Sequence, residues 1–173
     1  ASLTVGDGAA AYILGPSQES GRIRFSEPFT LAQYNKHCIG QASAKHRGPQ
    51  MRTKARDLQN GVINNLGVFL QRAVEHMDLK WDEIDHTYSH PTTPKAVKKG
   101  AKIAIEIFGE INFLHNDSAD TANTASTTHG VLLEKSQNSG YLKSNETTFM
   151  VSFGSGLAIM AIHFHLPEGV ENW

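Results

Sequence analysis

A single cysteine, Cys38, stands in the whole chain, so no internal disulfide can form and stability has to come from a buried core. Charge of one sign is missing too: 17 acidic residues face 16 Lys plus Arg, which removes the electrostatic signature of a nucleic-acid or anionic-membrane binder. No apolar run approaches the roughly 20 residues of a membrane span. The opening Ala1-Ser2-Leu3-Thr4-Val5 has no basic segment of the kind that starts a secretory signal. One free thiol and no export signal point to the cytoplasm. The one local basic cluster, Lys95, Lys98, Lys99 and Lys102, has helical spacing and reads as a solvated face.

What is present is a chain of 173 residues, long enough to bury a sizeable core as one domain. Its centre is the run Asp120-Thr121-Ala122-Asn123-Thr124-Ala125-Ser126-Thr127-Thr128-His129-Gly130, which leads into Val131-Leu132-Leu133. Small polar residues cannot build a core, but at a helix start their amides and hydroxyls can line a cavity beside free backbone N–H groups. An ordinary capped helix has the same appearance. Two flanking features favour a site: Ser89-His90-Pro91 upstream after a strand pattern, and Phe153-Gly154-Ser155-Gly156 downstream between two strand patterns. A His, an Asn and a glycine loop at element ends form one plausible pocket.

The pattern along the chain supplies those elements. Leu3 to Leu14 reads as a strand whose centre, Gly6-Asp7-Gly8-Ala9-Ala10-Ala11, is small enough for close backbone packing. Gly21 to Phe25 reads as a second strand, and Thr30 to Arg52 as a long excursion that shapes a pocket entrance. A helix is expected from Thr53, its N-cap, to Met77, with Ala55, Leu58, Val62, Leu66, Phe69, Ala73 and Met77 on the apolar stripe. Ile84 to His90 reads as a strand, and a helix from Pro94 to Phe108 follows, with Val97, Ala101, Ala104, Ile105 and Phe108 inward and Gly109 as its stop. Ile111 to His115 gives a strand, the Asn123 segment a helix to about Ser136, and Thr147 to Phe153 and Leu157 to Leu166 two final strands. Such alternation predicts an α/β layered sheet, mostly parallel, with packed helices.

Four of these stretches, Gly6-Asp7-Gly8-Ala9-Ala10-Ala11, His90-Pro91-Thr92-Thr93, Asn123-Thr124-Ala125-Ser126 and Phe153-Gly154-Ser155-Gly156, resemble the motifs of the thiolase-fold condensing enzymes, and most closely those of 3-oxoacyl-ACP synthase III. The resemblance covers nearly the whole chain in the family's order. It implies the C-terminal thiolase-like half, a five-stranded mixed sheet with packed helices, over residues 21-173, preceded over residues 1-20 by the last strand of a missing N-terminal half. It further implies an acyltransferase that performs a Claisen condensation of acyl-CoA or acyl-carrier-protein thioesters, with a malonyl thioester as partner substrate. His90 and Asn123 are then the catalytic donors, and Gly154, Ser155 and Gly156 the substrate-binding loop. The nucleophilic cysteine lies in the absent half, so the isolated chain is expected to be inactive. No metal or bound cofactor is implied, and a homo-oligomer is expected.

The residues themselves suit that chemistry. Charge that develops on a thioester oxygen needs fixed donors, which an imidazole N–H and a carboxamide can be. Cys38, in the excursion, reads as an inert thiol rather than a replacement nucleophile. His163 and His165 share one strand face that is expected to be exposed, without a third metal ligand. His129 reads equally as pocket lining or helix surface, and His86 points to the same strand face as His90. The Pro91-Thr92-Thr93-Pro94 run departs from the family pattern after the His. Two other readings stay open: a non-catalytic subunit of a heteromeric synthase, and an α/β binding module.

Overall fold

The computed structural model describes residues 6–16, 23–45, 47–116 and 122–170. Its main sheet is built from β1 (Arg24–Phe25), β2 (Phe29–Thr30), β5 (His86–Ser89), β6 (Phe113–His115), β7 (Thr147–Gly154) and β8 (Ala158–His165). β1 and β2 both pair with β8, so the six strands occupy five columns in the order β1/β2, β8, β7, β5, β6. β5 runs parallel to β6 and β7, whereas β8 is antiparallel to β7 and to the edge pieces. The mixed five-stranded sheet that the resemblance implies is therefore formed, whereas the mostly parallel sheet expected from the alternation is not: β5 makes two parallel pairings and β8 three antiparallel ones.

Alternation along β7 divides the core between two faces. Phe149 and Val151 point to α1 (Ala55–His76) and α2 (Pro94–Phe108), where they join Leu66, Phe69, Leu70 and Ala104. Met150 points the other way and packs with Tyr88, Leu132 and Leu166 beneath α3 (Thr128–Asn138). Trp81 locks the first face: its ring stacks on Phe108 at 4.6 Å, meets the edge of Phe149 at 5.5 Å, and its Nε1–H donates to the Glu110 carbonyl at 2.9 Å. Burying a ring such as Phe149, which has no exposed surface, contributes about 2–3 kcal/mol.

The register of β5 on β7 is set at one end and read out at the other. The Thr147 N–H donates to Asp85 Oδ2 at 2.7 Å, and the Asp85 N–H donates back to Thr147 Oγ1 at 2.9 Å. From that clasp the pairs His86↔Thr148 to Ser89↔Val151 follow, and the His90 N–H donates to the Val151 carbonyl at 3.0 Å. A one-residue slip would turn every β5 side chain to the wrong face. The other flank of β5 is held by a buried chain: Glu146 Oε2 lies 2.7 Å from His86 Nε2, His86 Nδ1 3.0 Å from His115 Nε2, and His115 Nδ1 3.0 Å from Ser136 Oγ. Burial, and then His86, push His115 down to about 4.

Several expectations are corrected. Residues 6–16 form no strand; residues 1–5 of that expectation lie outside the described residues. The small strip instead lies on the start of α3: the Gly6 N–H donates to the Asn123 carbonyl at 3.0 Å, and a Cβ on Gly8 would come within 2.7 Å of Thr127 Oγ1. The excursion contains a 3-10 turn at Ala32–His37 and a hairpin of β3 (Cys38–Ala42) and β4 (Pro49–Thr53). That hairpin takes Thr53, so α1 begins after Lys54 without a side-chain cap. Ala55 is exposed, and Ile105 is 48% exposed, because α2 turns Ile103 and Ile107 rather than Ile105 towards Gly67 on α1. Gly109 does stop α2, at φ 94°, a conformation that glycine adopts without Cβ strain.

Candidate functional site

His90, Asn123 and the Gly154 loop come from three separate elements and meet at one end of the sheet. His90 follows β5 directly, and its ring is wedged by the edge of Phe153 at 6.2 Å and by His129 at 6.4 Å. Burial lowers the pKa of the imidazole, so it is neutral at neutral pH. The Pro91-Thr92-Thr93-Pro94 run places Pro94 in the first turn of α2 and makes Thr93 its cap, with Oγ1 accepting from the Ala96 N–H at 3.3 Å.

Asn123 sits in a strained turn. Its neighbours Ala122 and Ala125 have φ of 55° and 54°, a left-handed conformation that costs a non-glycine residue about 1 kcal/mol or more. What the strain secures is the orientation of the amide. Oδ1 accepts from the Ala125 N–H at 2.8 Å, which leaves Nδ2 facing His90 Nε2 at 3.3 Å. Two nitrogens that close can both reach a single oxygen at about 2.9 Å.

Both side chains open into a cavity of about 860 Å³ between α1, α2 and the sheet. Gly154 and Ser155 line it as well. Gly154 ends the β7 ladder opposite Ala158, and Gly156, at φ 122°, makes the reversal that glycine permits. Cys38 also lines it, with its Sγ 3.5 Å from Thr53 Oγ1. Among the described residues that line it, none carries a formal charge at neutral pH. Outside the cavity, Lys95, Lys98, Lys99 and Lys102 line an open depression on the outer side of α2.

The other histidines separate. His86 is held by Glu146 and His115. His129 faces the α3 side, where its Nε2 lies 2.7 Å from Ser152 Oγ; burial, and then His90, hold it down at about 4. Sequence reasoning missed this pair, since nothing in spacing alone joins residues 129 and 152. The exposed face expected for His163 is wrong: it is 5% exposed, because that face of β8 lies under α1. Among the described residues no group of three or more His, Cys, Asp or Glu could hold a metal. No helix among them is long and apolar enough to cross a membrane.

No family model matches the chain. It is 27% identical over 166 residues to the beta-ketoacyl-[acyl-carrier-protein] synthase III of Blochmanniella floridana, an alignment that covers 90% of this chain and 49% of the relative. The chain thus spans about half the length of the curated relative it matches. Among solved structures it superposes on 3-oxoacyl-(acyl carrier protein) synthase III of Pseudomonas aeruginosa with TM-score 0.72 and 14% identity, over 90% of this chain and 47% of that one. The Thermus thermophilus synthase III gives 0.73 and 14%, over 90% and 50%. OleA of Xanthomonas campestris, solved with lauric acid and lauroyl-CoA bound, gives 0.67 and 18%, over 84% and 41%. The chain therefore has the thiolase-like fold and is similar to beta-ketoacyl-ACP synthase III, as the four motifs indicate.

Proposed function

We propose that this chain is the His- and Asn-bearing C-terminal half of a condensing acyltransferase that joins acyl thioesters of CoA or acyl carrier protein. The observation that carries the reading is the pair of side-chain nitrogens 3.3 Å apart, His90 Nε2 and Asn123 Nδ2, at a cavity whose described lining residues carry no formal charge. A thioester carbonyl oxygen seated beside the pair, about 2.9 Å from each nitrogen, accepts from both once it replaces the Asn123–His90 hydrogen bond and His90 takes its Nε2–H tautomer. When a malonyl group loses CO2, the electron pair of the breaking C–C bond moves into an enolate whose oxygen carries the new charge. Donors fixed beforehand in a dry site stabilise that charge far more than water does. The low basicity of His90 fits this role, because a neutral imidazole donates a hydrogen bond without surrendering a proton.

Carbon–carbon bond formation also needs an acylated nucleophile opposite the enolate. Cys38 lines the cavity from the β3–β4 hairpin with its Sγ at Thr53 Oγ1, and we assign the nucleophile instead to an N-terminal half that completes the fold. Gly154, Ser155 and Gly156 then face the acylated thiol and bind the substrate. Lys95, Lys98, Lys99 and Lys102 would present positive charge to an acidic carrier near the mouth.

The test is condensation of acetyl-CoA with malonyl-ACP, followed by release of CO2. The isolated chain should be inactive, and a fusion to the cysteine-bearing half of a synthase III should restore turnover. In that fusion His90→Ala and Asn123→Ala should each lower kcat by roughly 100- to 1,000-fold. Robust turnover by the isolated chain, abolished by Cys38→Ser, would refute the assignment.

A further inference from the structure

We infer that His129, anchored by Ser152, is a positioning residue for His90: it holds the His90 ring in the plane that points Nε2 at Asn123. This deepens the proposed function by adding a residue to the same site, and it rests on that reading only for the kinetic part of its test.

One hydrogen bond does not fix an imidazole. Among the described residues the bond that holds the His90 ring is at Nε2, with Asn123 Nδ2 3.3 Å away, and by itself it leaves the plane of the ring free to tilt. A second point of hold comes from the turn that carries Asn123. Asn123 Oδ1 accepts from the Ala125 N–H at 2.8 Å, the Ala125 carbonyl accepts from Thr128 Oγ1 at 3.0 Å, and the Thr124 and Thr128 hydroxyls meet at 3.2 Å. Thr128 opens α3, and His129 is the next residue. Asn123 and His129 are thus parts of one hydrogen-bonded turn, and they reach His90 at two places: Asn123 at Nε2, and His129 ring against ring, with 6.4 Å between centroids and 64° between planes.

His129 is itself held from the sheet. β7 offers three consecutive residues to the two histidines: the Val151 carbonyl accepts the His90 N–H at 3.0 Å, Ser152 Oγ lies 2.7 Å from His129 Nε2, and the Phe153 ring stands at 88° to that of His90, 6.2 Å away. Alternation sends Ser152 to the α3 side and Phe153 to the other, so His90 is boxed by rings of different elements. Such a contact needs an uncharged partner. Burial first, and then His90, hold His129 at about 4, against a smaller opposite pull from the Val151 backbone, so at neutral pH no charge on His129 repels His90. Tyr12, whose hydroxyl would meet a Cβ on Gly130 at 2.8 Å and whose pKa burial raises, is neutral there as well. Asn123 Nδ2 is a donor only, so in the free chain His90 Nε2 accepts and the ring proton sits on Nδ1. That tautomer is the signature of the held ring.

The imidazole nitrogens of the chain are followed against pH by long-range proton–nitrogen NMR, with the His90 signals identified by their loss in His90→Gln. The parent chain should show the neutral Nδ1–H tautomer at neutral pH. Ser152→Ala and His129→Ala should each bring in the second tautomer and move the His90 midpoint up towards 6.5 as water reaches the ring. Ser152→Thr, which keeps the hydroxyl, should match the parent. If His129→Ala fails to fold, Ser152→Ala decides. The parent tautomer and midpoint in both alanine variants overturn the inference. In the fusion with a cysteine-bearing half, either alanine variant should lower kcat by roughly 10- to 100-fold, the scale of an ångström-sized misplacement, and leave KM unchanged; a higher KM at unchanged kcat overturns it too. A tautomer that changes in the variants while the parent fusion is inactive supports the positioning role and counts against the condensing reading. An active parent fusion with an unchanged tautomer does the reverse.

Discussion

Acid should unfold this chain early, and His163 gives the effect a size. Its ring is 5% exposed, and Nδ1 has no hydrogen-bond partner among the described residues. Burial first, then His165 and Arg24, push its pKa down from 6.5 to about 4. Because the folded value lies below the unfolded one, the unfolded chain binds the proton first, and stability falls as pH drops below about 6.5. Between pH 7.5 and pH 5 the unfolded histidine becomes protonated while the folded one stays neutral. That window spans about 1.5 units below the unfolded pKa, or roughly 2 kcal/mol at 1.36 kcal/mol per unit. His115 and His129, both held near 4, act in the same direction, so a variant has to isolate one share. Urea unfolding followed by circular dichroism at the two pH values should show His163→Leu losing about 2 kcal/mol less than the parent chain. Equal losses in both proteins would mean that His163 takes up its proton in the folded state, which would refute the argument from burial.

Three further outcomes follow from particular contacts. Gly61→Ala puts a Cβ 2.7 Å from Tyr34 Cε1, and overpacking of about 1–3 kcal/mol should exceed the roughly 1 kcal/mol gained in helix propensity; thermal unfolding checks this, and adding Tyr34→Ala should restore the gain. Thr147→Val leaves the Asp85 N–H without its acceptor at the β5–β7 clasp and should cost about 1–3 kcal/mol in urea unfolding; an unchanged midpoint would mean that the clasp does not set the register. Ala125→Gly removes the strain of a φ of 54° and should raise stability by about 1 kcal/mol; a fall in melting temperature would show that the turn is not strained.

Much of the fold was legible because it rests on local rules. The apolar stripe of α1 buries Leu66, Phe69 and Ala73 as its period demands. Pro94 and Gly109 bound α2 because one tolerates a helix start and the other the turn that follows its end. The alternation in Thr147–Gly154 and Ala158–His165 became paired strands. The candidate site was legible only as motifs: His90, Asn123 and the Gly154 loop could be named, but not their separations.

By itself, then, the sequence determined the three long helices, the strands after residue 83, their order, and the resemblance to condensing enzymes, because periodicity, caps and motifs act over a few residues. Only the tertiary structure decided what depends on contacts between distant segments. It buried His163, which alternation alone could not distinguish from an outward residue, because the side of β8 that meets α1 depends on the register with β7. It paired His129 with Ser152 across 23 positions. It left residues 6–16 without a ladder. And it brought His90 Nε2 to 3.3 Å from Asn123 Nδ2 through the Asp85–Thr147 register at one end of β5 and the strained Ala122 and Ala125 turns on either side of Asn123.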